Sequence, residues 1–236
     1  MGVNLKGVAI GNGWVDPYNQ YSGYASFSYH NKLVNAVGKV ALDIGFGICK
    51  FLVKNNVPIV NQYFCNIVMQ SVLGFPLAPR FNVYDIRKKC DIPPLCYDFS
   101  ALDVFLNRKD VQEELGVPGR AWESCNMKVH LALFADFEVN AAPMVTNLLD
   151  RDVNVLVYNG DKDYICNWEG SFNWIQNLPW KHQDEFRNTE MKKIDSGEYK
   201  VVKNFSFYRI YEAGHMVPMD QPESALHMIN HFIGAA

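Results

Sequence analysis

The sequence predicts an α/β fold built around a parallel sheet, and three stretches carry that prediction. Residues 153–158 (VNVLVY) are an apolar, β-rich run that halts at Asn159-Gly160 and hands over to an acidic turn, Asp161-Lys162-Asp163. Residues 205–211 (FSFYRIY) are a second such run, ending in Glu212-Ala213-Gly214-His215-Met216. Residues 5–10 (LKGVAI) are a third, ending in Gly11-Asn12-Gly13. An apolar strand followed by a glycine-marked loop is how such a sheet presents side chains at the carboxyl ends of its strands. Here those side chains are carboxylates and, one strand later, a histidine.

The elements follow in order. The first strand has no earlier strand to pair with, and a parallel sheet needs neighbours and covering helices. This leads us to expect sequence upstream of residue 1. Residues 18–29, rich in Tyr, Ser and Gly, read as a loop entering a helix. Residues 33–53 are apolar over a helical length and break at Asn55-Asn56-Val57-Pro58. Residues 61–73 read as a second helix, ended by Gly74 and Pro76. Two helices without a strand signal look like an insertion or lid, and Cys49 and Cys65 could staple them.

Residues 82–86 (NVYDI) read as extended. Ser100 is expected to cap a helix through Asn107. Asp110 and Glu113 resemble a capping box, with Gly116 ending that helix. Residues 123–135, 141–149 and 170–177 read as helices, the last with Gly170-Ser171 at its cap. Residues 180–200 read as a polar surface excursion turning at Asp195-Ser196-Gly197, and residues 199–203 as a strand before the FSFYRIY run. Pro222 starts the last helix, where Ala225, Met228, Ile229 and Phe232 make one apolar stripe.

Composition narrows the function classes. The chain has 236 residues, is 49% hydrophobic and 20% charged, and carries a net charge of −3, all ordinary for a globular protein. No basic cluster suggests nucleic acid; Arg87-Lys88-Lys89 reads as a solvated face. The most apolar long stretch, residues 40–53, contains Asp43, Gly45, Gly47 and Lys50 and is not a membrane span. The N-terminus has neither the basic nor the apolar region of a signal peptide. Six cysteines occur without a C-x-x-C pair, so no zinc site is expected. Cys90 and Cys96 close a short Pro-containing loop, which suits a local disulfide better than a metal. Asn204-Phe-Ser is a glycosylation sequon, usable only on the secretory route. Together these lean towards an oxidising compartment.

Asp163 and His215 are the candidate acid and base, in the chain order Ser…Asp…His of one class of hydrolases. Asp163 is preferred to Asp161 because it lies further into the loop. The competing readings are a solvated turn for the acids and a hydrogen-bonded surface or core histidine for His215. Cys166 reads as a structural thiol, a disulfide partner or a residue lining the site.

The stretches GNGWVDP (11–17), NVYDIRKKC (82–90), ESCN (123–126), LVYNGDKDYICNW (156–168) and AGHMVPMDQPESAL (213–226) resemble the serine carboxypeptidases, most of all carboxypeptidase Y and cathepsin A-like members. The resemblance runs from Leu5 to Phe232. It implies one partial α/β-hydrolase domain over residues 1–236, the C-terminal portion of the fold, with a helical lid insertion at about 18–80. It implies removal of single residues from peptide C-termini, in vacuoles or lysosomes or after secretion, with no cofactor. Asp163 falls on the family's triad aspartate, His215 on its histidine and Cys166 on a free thiol beside the site. Met216 falls on a residue lining the leaving-group side, and Phe137 and Asn66 near positions lining the apolar substrate pocket. Cys90 and Cys96 fall on a disulfide, and Cys125 on a cysteine whose partner lies upstream.

The chain also departs from the family. The nucleophile elbow, of the form G-x-S-x-G, is absent, as is the Trp-Asn-Gly-Gly-Pro-Gly stretch that supplies an oxyanion donor. The expectation is therefore the C-terminal half of a longer enzyme or a truncated product, inactive alone. Its partners would be a peptide substrate, the N-terminal half as a separate chain, or a second copy in a homodimer. The alternatives are a carboxypeptidase-like acyltransferase working on glucose esters and a non-catalytic interaction protein.

Overall fold

The computed structural model describes residues 3–55, 57–74, 80–92 and 95–234. The strands are β1 (Gly7–Gly11), β2 (Asn154–Gly160), β3 (Lys192–Ile194), β4 (Gly197–Val202) and β5 (Phe205–Ile210). They form one sheet in the order β1-β2-β5-β4-β3. β1, β2 and β5 run parallel, while β4 lies antiparallel to β5 and β3 to β4.

Both faces of the parallel part are covered, which is why β2 and β5 carry apolar side chains on both faces instead of alternating apolar with polar. Val155 and Val157 of β2 share one core with Phe205 and Phe207 of β5, packed against Trp174, Trp180 and Phe186. Leu156, Tyr208 and Ile210 point the other way, onto Val217, Ala225 and Met228. Each such side chain contributes about 1.5–3 kcal/mol by leaving water.

The helices of the first covering face are α8 (Ala142–Asp150) and α9 (Trp168–Gln176). The opposite face carries α11 (Val217–Asp220) and α12 (Pro222–Ile233). The expected stripe on α12 is present: Ala225 and Met228 are buried, with Ile229 and Phe232 packed beside them.

Between β1 and β2 lie α1 (Pro17–Gln20), α2 (Gly23–His30), α3 (Ala36–Lys54) and α4 (Pro58–Leu73). They build a separate aromatic core from Tyr21, Tyr24, Phe27, Phe46 and Tyr164, and Cys49 is disulfide-bonded to Cys65 between α3 and α4. Next come α5 (Ser100–Leu106), α6 (Lys109–Glu114), α7 (Met127–Ala132) and a 3-10 turn at Phe134–Glu138. α10 (Gln183–Asn188) precedes β3. Among the described residues, no helix is long and apolar enough to cross a membrane.

Several local expectations fail, each for a physical reason. Residues 18–29 are two short helices joined by a turn at 21–22, the first starting early because Asp16 caps α1, accepting from the Asn19 N–H, and Pro17 occupies its first turn. The break expected at 55–58 is present, α3 ending at Lys54, and Pro58 then starts α4, where its missing N–H is an orphan anyway. Residues 82–86 are folded into turns, not extended, because Asn82 Oδ1 accepts from the Tyr84 N–H at 2.8 Å.

Ser100 does not cap α5; its own N–H donates to Asp98. Asp110 does not cap α6 but pairs with Arg108. The helix over 123–135 shrinks to α7 because Asn126 caps it late, accepting from Lys128 and Val129 N–H. Asn167, not Ser171, caps α9, accepting from the Gly170 N–H at 2.9 Å. Residues 180–200 are not a polar excursion: Trp180 and Phe186 are core residues, and the turn joins β3 to β4. Asn56, Pro76, Pro93 and Pro94 lie outside the described residues.

Candidate active site

The parallel pairing sets where the site forms. Gly11 of β1 aligns with Tyr158, and Gly160 of β2 aligns with Ile210 of β5. Three loops therefore leave the sheet side by side at the carboxyl ends of their strands. They carry Asn12, Asp163 and His215.

Asp163 is fully buried and accepts three hydrogen bonds. His215 Nδ1 lies 2.8 Å from Oδ2, Asn12 Nδ2 donates to the same oxygen at 2.8 Å, and the Cys166 N–H donates to Oδ1 at 3.3 Å. A buried carboxylate needs this many donors to offset lost hydration. Asn12 reaches it from a left-handed conformation, φ 46°, a region where Asn is among the more tolerated side chains.

The acid loop is pinned from the helical core. Tyr164 donates its hydroxyl to Met69 O at 2.9 Å, and Tyr24 donates to Ile165 O. The histidine loop is pinned by Tyr84, whose carbonyl accepts from the His215 N–H at 2.7 Å and whose ring lies 5.3 Å from the imidazole. The two loops touch at Gly160, where an added Cβ would sit 2.1 Å from Gly214 O.

The His215 side chain keeps 30% exposure, and its Nε2 makes no hydrogen bond among the described residues. Burial works to lower the imidazole's pKa, but the hydrogen bond and charge of Asp163 outweigh it and hold the pKa above the ordinary value. Nδ1 is thus committed to the carboxylate, leaving Nε2 to exchange a proton with a reacting group.

Cys166 is a free thiol. Burial first, then the Asp163 charge, pushes it far above the ordinary thiol range, so it is a poor nucleophile. Asp163, Cys166 and His215 offer ligand atoms within 4.8 Å of one another, the one such group among the described residues. Asp163 Oδ2 and His215 Nδ1 are already spent on each other, and the thiol stays protonated. The set suits proton transfer better than metal binding.

The remaining predicted residues lie as follows. Met216 opens α11, directly after the histidine. Phe137 is exposed, its carbonyl accepting from Trp14 Nε1 at 2.7 Å. Asn66 is exposed on α4, beside Gln70. No hydrogen bond, ion pair or ring contact joins Phe137 or Asn66 to the Asp163–Cys166–His215 group. Cys90 and Cys96 form a disulfide.

Asn204, read as a glycan acceptor, has a structural role in the folded chain. Its Nδ2 donates to Leu149 O at 3.0 Å and Val153 O at 2.9 Å, clasping α8 to the β4–β5 turn, and a glycan on that nitrogen would disrupt the clasp. Sequence reasoning missed Asn12 and Tyr84 as individual residues, although both lie in the GNGWVDP and NVYDIRKKC stretches it singled out.

The covered sheet, with this carboxylate–imidazole pair at its strand ends, is an α/β-hydrolase fold. The chain belongs to the serine carboxypeptidase family, whose model matches residues 1–235. It is 35% identical over 241 residues to serine carboxypeptidase 3 of Hordeum vulgare, covering 98% of this chain and 47% of that protein. It is 35% identical over 240 residues to a serine carboxypeptidase-like protein of Pisum sativum, covering 96% and 82%. The fold matches the crystal structure of a prohormone-processing carboxypeptidase from Saccharomyces cerevisiae with a TM-score of 0.72 at 21% identity, over 98% of this chain and 55% of that one. The chain spans about half the length of the barley and yeast proteins and most of the pea protein.

Two groups make stability depend on pH in the same direction. Glu138 is half-buried, and burial raises its pKa to about 7 although the Tyr21 hydroxyl donates to it at 3.0 Å. The folded chain then holds a proton that the unfolded chain releases near 4.5, so stability falls as pH rises from about 4.5 to 7. His215 has a raised pKa too; its contribution is fully present below the unfolded imidazole value and is lost as pH rises through the folded one. The melting temperature should therefore fall between pH 5 and 7.5, and Glu138→Gln should flatten the lower part of that fall. A melting temperature that rises over this range would sink the account.

Proposed function

We propose that this chain supplies the acid and base of a serine-type carboxypeptidase that releases C-terminal residues from peptides. The observation that carries this reading is the buried Asp163–His215 hydrogen bond at the ends of adjacent parallel strands, in a member of this family.

In the reaction, His215 Nε2 takes the proton of a serine hydroxyl as its oxygen attacks the scissile carbonyl. It then gives that proton to the departing amine of the C-terminal residue. Water, deprotonated by the same nitrogen, releases the acyl group. Asp163 holds the tautomer and stabilises the imidazolium, and Asn12 holds Asp163. Met216 and Cys166 line the leaving-group side, and Phe137 and Asn66 the apolar side, once substrate and the rest of the protein are in place. Oxidised cysteines, and the greater stability expected in acid, support a vacuolar, lysosomal or secreted setting.

No G-x-S-x-G occurs in these 236 residues, so the nucleophile has to come from other sequence. The purified chain alone is expected to leave a blocked dipeptide intact. Complementation with the nucleophile-bearing half of a relative should restore release of the C-terminal residue. Hydrolysis by the chain alone that vanishes in His215→Ala would overturn the assignment of roles. Turnover of acyl-glucosides without peptide hydrolysis by the complemented enzyme would select the acyltransferase instead.

A further inference from the structure

Residues 82–88 grip both loops of the site at once. Val83 O accepts from the Tyr164 and Ile165 N–H groups at 3.1 and 3.0 Å, and the Ile86 N–H donates to Lys162 O at 3.0 Å. Those bonds hold the acid loop. The Tyr84 carbonyl holds the His215 N–H.

Behind this backbone lies a charged quartet. Asp85 has no exposed side-chain surface; it accepts from Arg87 Nε at 2.8 Å and Nη2 at 2.7 Å and pairs with Lys88 at 3.1 Å. Arg87 Nη1 continues to Glu212 O at 2.9 Å. Lys88 Nζ reaches Asp220 Oδ1 at 2.9 Å, and Arg87 Nη2 lies 3.7 Å from Asp220 Oδ2. That second Asp220 oxygen accepts from the Gly214 N–H at 2.8 Å. Glu212 Oε2 joins the quartet at 3.1 Å from Arg87 Nη1, so three acids share the two bases, and both buried carboxylates have charged partners.

We infer that Asp220, held in place by Lys88 and Arg87, is a positioning residue for His215. The peptide N–H groups of Gly214 and His215 are consecutive, and each is fixed from outside the histidine loop: Gly214 by the Asp220 carboxylate, His215 by the Tyr84 carbonyl. Gly214 has no side chain to anchor itself, and a Cβ there would sit 2.4 Å from Tyr84 O. The loop therefore has one way to lie, and that way puts Nδ1 at 2.8 Å from Asp163. The inference gains its catalytic meaning from the proposed function, but its geometry stands without it.

The test reads the imidazole by NMR in the 236-residue chain and needs no hydrolysis. Failure of the carboxypeptidase reading would thus leave it untouched, and its own failure would leave that reading standing. The groups facing His215 are Asp163, Cys166 and Tyr84; those facing Asp220 are Arg87, Lys88 and Tyr97.

Asp220→Ala is expected to abolish the downfield Nδ1–H resonance of His215 and drop its pKa towards the roughly 6.5 of a free imidazole. Asp220→Asn, whose amide oxygen can still accept from Gly214, should keep both signals. A merely stabilising Asp220 would lower the melting temperature in either variant without moving the imidazole. Folded Asp220→Ala with an unchanged His215 titration overturns the inference, and so does Asp220→Asn losing as much as Asp220→Ala. Should the alanine variant fail to fold, the unsubstituted chain decides. The Gly214 amide must be protected from hydrogen exchange, and a Gly214 amide that exchanges freely overturns the inference.

Discussion

Replacing His215 with alanine in the enzyme containing this chain is expected to lower kcat/KM on a blocked dipeptide by about 10⁴–10⁶-fold. The proton of the attacking hydroxyl then has no acceptor, and the leaving amine has no donor. KM should change little, because nothing in the Asp163–His215 pair has to grip the ground-state peptide.

Asp163→Asn should cost about 10⁴-fold for a related reason. The carboxylate accepts from both His215 Nδ1 and Asn12 Nδ2. An amide with its oxygen kept on Asn12 offers a donor to Nδ1, which selects the wrong tautomer. Steady-state kinetics on the complemented enzyme checks both variants. An enzyme with His215→Ala that retains a tenth of its activity would mean that another group is the base.

The second large effect is on the scaffold. Gly160→Ala is expected to destabilise the chain by about 3–5 kcal/mol, enough to lower the melting temperature by roughly 10 °C. The methyl group would meet Gly214 O at 2.1 Å and Ala213 O at 2.3 Å, both backbone atoms. The Ala213 carbonyl cannot retreat freely, because it accepts from the Lys162 N–H at 2.8 Å. The strain must therefore part the acid loop from the histidine loop.

Gly47→Ala is the internal comparison. That glycine is exposed on α3 with nothing within 4 Å of its absent Cβ, and alanine there should add up to about 1 kcal/mol. Urea unfolding of the two variants measures the contrast. Equal midpoints would show that the close approach at Gly160 does not limit stability.

The pattern of failed expectations has a common cause. Long apolar runs were legible: the strands of the parallel sheet and the α12 stripe follow from period and hydrophobicity, which burial on both faces demands. The short helices α5, α8 and α9 were legible too, but caps were not. α1, α7 and α9 begin where a side-chain oxygen meets backbone N–H groups, as those of Asp16, Asn126 and Asn167 do, and several residues of similar type compete for each such place. Residues 180–200 misled because Trp180 and Phe186 are isolated apolar residues in polar surroundings, and it is their packing on Phe205 of β5 that places them in the core.

The sequence by itself determined the α/β class, the family resemblance and the choice of Asp163 and His215 as acid and base. Those properties reside in local runs and in motif order, which the chain carries residue by residue. Only the tertiary structure decided that Asn12 holds Asp163, that Tyr84 and Asp220 hold the histidine loop, and that Asn204 is a clasp. Each depends on a hydrogen bond between distant residues, as between Asn12 and Asp163, which are 151 positions apart. No local pattern encodes such a contact, because it exists only once β1, β2 and β5 have aligned their ends.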